Sequence, residues 1–161
     1  MKIYLKRDTA FENSRYIVCD ELGKQLYTVS GKHGTNSERM YIMQGENCIS
    51  KIRNTSLALL RSCYVATGSG NFHMVITCSK DKIAITYHGI GFHIRGNVLE
   101  KSYDILDVDN TLIACVQKRF NTHNEVLEIN INNDRYELYC IASALCLNTV
   151  CTNDALSLQT T

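Results

Sequence analysis

Residues 136–151 read YELYCIASALCLNTVC, and they follow a long series of segments that alternate apolar and polar residues. From Leu138 to Leu147 only Ser143 is polar. At helical spacing the apolar side chains therefore cover the whole circumference, and a helix that is apolar all round has to be buried all round. Asp134, with Glu137 three residues on, has the pattern of a capping box and predicts the start of that helix. Sixteen residues at about 1.5 Å each make a rod of roughly 24 Å. Seven residues of strand at about 3.3 Å span nearly the same length. The segment fits a β-barrel as its axle, with Ala142, Ser143 and Ala144 small enough to let the wall approach.

The remainder supplies a wall. Runs rich in β-branched and aromatic residues occur at 2–6, 14–20, 25–30, 39–44, 48–54, 59–66, 72–78, 81–88, 92–96, 101–107, 112–119 and 125–131. Between them stand ELGK, TGSGN, SKD, HGIG and DVDN, whose residues favour hairpin turns. Phe72, Met74, Ile76 and Cys78 share one face of their run, and His73, Val75 and Thr77 the other; Ile83, Ile85 and Tyr87 repeat the pattern. About twelve such strands predict a mostly β fold, a closed barrel around a central hydrophobic C-terminal helix. The chain of 161 residues reads as one domain, with a polar tail from about 152 to 161.

Lys plus Arg number 17 and Asp plus Glu 16, so no overall field favours nucleic acid. The distribution is uneven: residues 1–99 are net +6, with 13 basic and 7 acidic side chains, and residues 100–161 are net −5, with 4 and 9. The start, MKIYLKRDTAF, has no apolar signal core, and no apolar run reaches the roughly 18 residues of a spanning helix. The eight cysteines, at 19, 48, 63, 78, 115, 140, 146 and 151, include no C-x-x-C pair and none at finger spacing from a histidine. Most sit among apolar strand or helix residues, where a thiol behaves as a small hydrophobe. These features point to a reduced, cytoplasmic protein, at most peripheral to a membrane.

Catalytic and cofactor motifs are not legible. Asp107-Val-Asp109-Asn110 opens like a calcium loop, but Leu112 stands where glycine is needed and Lys118 where a bidentate glutamate is needed, which leaves a β-turn. Gly68-Ser69-Gly70 and Gly89-Ile90-Gly91 lack the features of phosphate loops. His73, His88 and His93 fall on polar strand faces without an evident third ligand, so surface histidines are expected there and no metal site. No cofactor and no enzymatic activity are expected. The segment CISKIRNTSLALL, 48–60, is different. Lys51 and Arg53 are two apart and share one strand face, and Arg61 on the next strand is a candidate to join them in a phosphate-binding patch.

The number of strands and the closing helix resemble the tubby C-terminal-like superfamily, and within it the LURP-one-related family, its bacterial branch in particular. The likeness extends over essentially the whole chain and is carried by KIAITYHGIGFHIRGN (82–97), KSYDILDVDNTLIACVQKRF (101–120) and EVLEININNDRYELYCIASALCL (125–147). Phe92 stands where the family usually has tryptophan, and cysteine is unusually frequent. The resemblance implies a twelve-stranded barrel around a helix. Tubby proteins bind phosphoinositides at membranes, and their headgroup segment, K-L-R-S-N, is similar to Lys51-Ile52-Arg53-Asn54 at K-x-R; Asn54 and Thr55 stand where tubby has serine and asparagine. The expectation is a non-catalytic binding module for an anionic lipid headgroup or membrane surface through Lys51, Arg53 and Arg61. The alternative is a scaffold domain with a protein partner.

The cysteine spacing generates the first prediction. Alkylation under denaturing, non-reducing conditions should mark all eight thiols by mass spectrometry, and a mass lower by two hydrogens per bridge would show that the spacing was misread.

Overall fold

The structure is a computed structural model that describes residues 1–8, 14–33, 37–57, 59–79, 82–121 and 124–159. For 14–15, 32–33, 37, 120–121, 124 and 150–159 only the course of the backbone is described. The twelve expected runs become twelve strands: β1 (Lys2–Arg7), β2 (Ser14–Asp20), β3 (Gln25–His33), β4 (Ser37–Gln44), β5 (Asn47–Leu57), β6 (Leu60–Thr67), β7 (Gly70–Ser79), β8 (Lys82–His88), β9 (His93–Asn97), β10 (Ser102–Leu106), β11 (Leu112–Asn121) and β12 (Asn124–Ile131). They form one antiparallel sheet in the order β8 to β1, then β12 to β9. The non-sequential join is β1 against β12, with Lys2 opposite Asn130 and Lys6 opposite Val126.

The sheet curls into a nearly closed barrel. Its two edge strands, β8 and β9, are consecutive in sequence and are joined through residues 89–92, with no backbone ladder between them. The strand ends flanking β3–β4, β5–β6, β7–β8 and β9–β10 lie at one end of the barrel, and those flanking β2–β3, β4–β5, β6–β7 and β8–β9 at the other.

Helix α1 (Glu137–Gln159) runs through the interior, preceded by a 3-10 turn, Asp134–Tyr136. Cys140 through Leu147 are all 0–1 % exposed, so every face of this stretch meets the wall. Ile3, Met40, Ile52, Met74, Ile105 and Ile129 of the strands close around it. At about 1.5–3 kcal/mol for each large side chain taken from water, α1 is a principal source of the fold's stability.

Two details of the helix differ from expectation. The cap is Asn133, which is extended (φ −133°, ψ 104°) and whose Oδ1 accepts from the Arg135 amide at 3.1 Å. Asp134 is already inside the 3-10 turn, so it does not cap. Glu137 does not reach back to an amide; its Oε1 accepts from the Tyr27 hydroxyl at 2.9 Å. Burial, reinforced by that carboxylate, pushes the Tyr27 phenol up to about 12. The helix start is therefore clasped by β3. The second detail is length: the helix continues to Gln159, through most of the stretch expected as a polar tail.

At the entry end, Tyr139 packs against the β6–β7 turn, where its hydroxyl accepts from Ser69 Oγ at 3.3 Å. Gly70 in that turn has φ +153°, and a Cβ there would fall 2.7 Å from the Tyr139 oxygen, so glycine is required. Near the other end, the Asn148 amide donates to the Tyr16 hydroxyl at 3.2 Å.

Seven cysteines have described side chains and all are unbridged, with Cys19, Cys63, Cys140 and Cys146 buried. Burial pushes the Cys140 thiol up to about 12. The Cys146 thiol is raised by its hydrogen bond to Cys63 and by burial. These thiols are packing groups held in the protonated form.

Ala144 is fully enclosed. A carboxylate there would be stranded without a partner, which costs several kcal/mol against a total stability of about 5–15 kcal/mol. Ala144→Asp should abolish soluble, cooperative folding in thermal denaturation monitored by circular dichroism; an unchanged melting curve would mean that the helix does not occupy the barrel interior.

Candidate functional site

Lys51 and Arg53 are exposed, between the buried Ser50, Ile52 and the inward-facing Asn54. Their strand is paired on both sides, so their outward neighbours are fixed by register. Arg53 lies opposite Arg39 of β4 and Tyr64 of β6. Tyr64 lies opposite His73 of β7, and His73 opposite His88 of β8. The result is one cross-strand row over five strands: Arg39, Arg53, Tyr64, His73, His88. A second row lies beside it: Tyr41, Lys51, Ala66, Asn71. Adjacent strands are about 4.7–4.9 Å apart, so the first row covers roughly 19 Å of the outer wall.

Arg61 is not in either row. It has the parity of the buried Cys63 and Val65, on an unbroken stretch of β6 opposite Ser56 and Ile76, and so belongs to the lumen-facing register near one end of the barrel. Arg61 is on the strand next to Arg53, as expected, but on the other face, because odd-numbered residues point outward on β5 and inward on β6.

The two rows line an open groove of about 690 Å³. Its side chains include Arg39, Lys51, Arg53, His73 and His88 and, among the described residues, no carboxylate. Among the described residues no ion pair engages Arg39, Lys51 or Arg53. Elsewhere on the barrel the pattern is the opposite: Arg95 meets Asp104 across β9 and β10 at 2.9 Å, Arg119 meets Glu128 at 3.1 Å, and Lys101 and Lys118 share Glu125. Arg119 holds the Glu128 carboxyl below its ordinary value. The cations of β9–β12 are neutralised by the protein, and those of the groove are not.

Tyr64 forms the floor. Its ring stacks on that of His73, with centroids 4.0 Å apart and planes within 4°. His73 and His88 are 5.7 Å apart between ring centres. His73 Nε2 is covered and has no hydrogen-bond partner among the described residues. Covering disfavours the charged ring, and the His88 ring adds repulsion, so the His73 imidazole titrates below the ordinary histidine value. Gly89 borders the groove at φ +89°, where a Cβ would fall 3.0 Å from the Asn71 carbonyl oxygen.

His93, the third histidine of the expected surface set, stands apart on β9, where its Nε2 pairs with Asn110 Oδ1 at 2.9 Å. Asn54, which follows Arg53, faces inward; its amide donates to Glu38 Oε2 at 3.4 Å and its oxygen accepts from the Cys146 thiol at 3.9 Å. Among the described residues, no three of His, Cys, Asp and Glu come together as metal ligands.

The sequence matches the LURP-one-related family model over residues 1–148, and the chain belongs to that family. The barrel is similar to the X-ray structure of a protein from Arabidopsis thaliana, with a TM-score of 0.54, 11 % identity and 91 % of each chain covered, a likeness of fold. No curated protein matches the sequence.

The histidine pair gives a prediction with a definite sign. His73 has a folded value below its unfolded one, so the unfolded chain takes up the proton first, and stability declines as pH falls through about 6.5 toward the folded value. Replacing His88 with Gln removes the repulsion but not the covering. In NMR titration of the imidazole protons, His73 of His88→Gln should titrate at higher pH than in the wild type; an unmoved midpoint would show that the two rings are not coupled.

Proposed function

We propose that the protein is a non-catalytic binding module whose outer-wall groove takes an anionic, phosphate-bearing headgroup. The observation that carries this reading is the direct cross-strand pairing of Arg39 with Arg53, beside Lys51, with no carboxylate among the described residues that line the groove. Like charges directly opposite one another on a sheet are destabilising. An anion placed between the two guanidinium groups reverses the sign of that interaction. Arginine forks suit phosphate oxygens in a bidentate manner, and Lys51 adds a point charge about two residues along the strand.

The other lining groups fit the same ligand. Tyr64 offers a flat apolar face backed by His73. Asn71 and Tyr41 supply neutral polar groups in the second row. Arg61, on the other face of β6, has no role in this reading.

Binding of a soluble inositol polyphosphate, followed by calorimetry, tests the groove without a membrane. Charge-assisted hydrogen bonds contribute about 1.5–3 kcal/mol each, so Lys51→Ala/Arg53→Ala should weaken binding by at least tenfold while the melting temperature is unchanged. Arg39→Ala should act in the same direction. Lys24→Ala, in the β2–β3 turn and outside the groove lining, should have no effect. Binding should also weaken with salt, since the Debye length falls from about 10 Å at 0.1 M to about 3 Å at 1 M. Equal binding by wild type and the double variant, or none by either, would discard the groove.

A further inference from the structure

The β5–β6 hairpin that carries Arg53 and Tyr64 ends in an apolar tip. Leu57 is 76 % exposed, Leu59 69 % and Leu60 41 %. Leu57 lies opposite Leu60 at the end of the ladder, and with Leu59 they border an open notch of about 430 Å³ against β7 and β8. Thr77, Cys78 and Ala84 form its far wall, and Lys82 stands at its rim. Clustered exposed leucines at the end of a hairpin cost solvation and contribute nothing to the barrel core, which packs around α1. At the opposite end of the barrel, Leu22 and Val108 are exposed singly, in separate turns.

We propose that this tip enters an anionic lipid bilayer while the groove engages headgroups. The inference rests on the groove reading for the charge of the surface. Four strand residues separate Leu57 from Arg53, about 13 Å along the wall. Apolar faces of peripheral proteins seat roughly 5–10 Å into the headgroup and acyl boundary. With the tip at that depth, Arg53 and its cross-strand partner Arg39 stand at the level of the phosphates, and Lys51 stands just above them. Lys82, which lines the same notch, adds a cation beside the leucines. Among the described residues, no carboxylate lines the groove or the notch to repel an anionic surface. Exposed leucines backed by cations that no ion pair engages among the described residues suit an anionic bilayer, whose interior accepts any apolar shape and whose headgroups supply the counter-charge.

The chain contains no tryptophan, so Leu59→Trp introduces a single reporter at the tip. With phosphatidylcholine vesicles containing phosphatidylserine, its emission should shift to the blue and be quenched by lipids brominated on their acyl chains. Leu22→Trp, at the other end, should do neither. Leu57→Ser/Leu59→Ser should lose vesicle binding by about tenfold or more, while keeping the wild-type melting temperature and wild-type affinity for the soluble inositol polyphosphate. An unshifted Leu59→Trp, vesicle binding undiminished in the serine variant, or leucine-dependent self-association in place of vesicle binding would overturn the proposal. Failure on vesicles with soluble binding intact would remove the tip and leave the groove. Insertion of Leu59→Trp that is indifferent to Lys51→Ala/Arg53→Ala would keep the tip and remove the groove.

Discussion

The whole architecture depends on one requirement: Cys140–Leu147 must be kept from water on every side at once. A helix with one apolar face needs only a sheet or a second helix to cover it. This one needs a tube. Twelve short antiparallel strands curl far enough to supply it, and the sheet's non-sequential join of β1 to β12 brings the two halves of the wall around the rod. Small residues at Ala142, Ser143 and Ala144 permit close approach, and larger ones at Ile141, Leu145 and Leu147 fill the remaining volume. Tyr27 on Glu137 at one end and Tyr16 on Asn148 toward the other fix the rod lengthwise.

The interior is occupied by the protein's own helix, and the groove lined by Arg39, Lys51 and Arg53 lies on the outer wall. A sheet wall presents side chains on a lattice, at roughly 5 Å across strands and 7 Å along them. A charge on that lattice has its neighbours fixed by register and not by flexible loops. In the β9–β12 half the lattice places acids beside bases. In the β4–β8 half it places arginine beside arginine and tyrosine on histidine. The uneven distribution of charge along the sequence thus has a spatial form: the surplus of positive charge in residues 1–99 includes a particular patch of wall.

The fold was legible because its two periods are long and clean. The axle is identifiable from Leu138–Leu147 alone, and twelve strands from their alternation. The cap was misassigned by one residue because Asn133 and Asp134 are both good caps, and only the extended backbone of Asn133 distinguishes them. The groove was half legible. Lys51 and Arg53 share a strand, so parity alone joins them, whereas Arg39 depends on a single irregularity. The β4–β5 ladder shifts register between Ile42 and Met43, where Ile49 is an extra residue on β5. Counting outward from the 45–46 turn without that bulge sets Glu38 against Arg53, a neutralised pair. With the bulge, Arg39 takes the position, and Glu38 turns inward to Asn54. One inserted residue decides whether the patch is charged, and no local pattern announces it. Tyr64, His73 and His88 follow by counting from their own turns, since those ladders are regular.

The pairing of β1 with β12 also bears on how the chain reaches its native state. During synthesis the first strand emerges long before its partner, and the helix that all the others enclose follows the last strand. A nascent chain holding β1 to β11 therefore has an apolar inner surface with nothing to wrap around. Folding of such a high-contact-order topology is expected to be slow and to follow release of the wall from the ribosome. In that interval Ile3, Val18, Met40 and Ile52, buried in the finished barrel, have no helix to cover them.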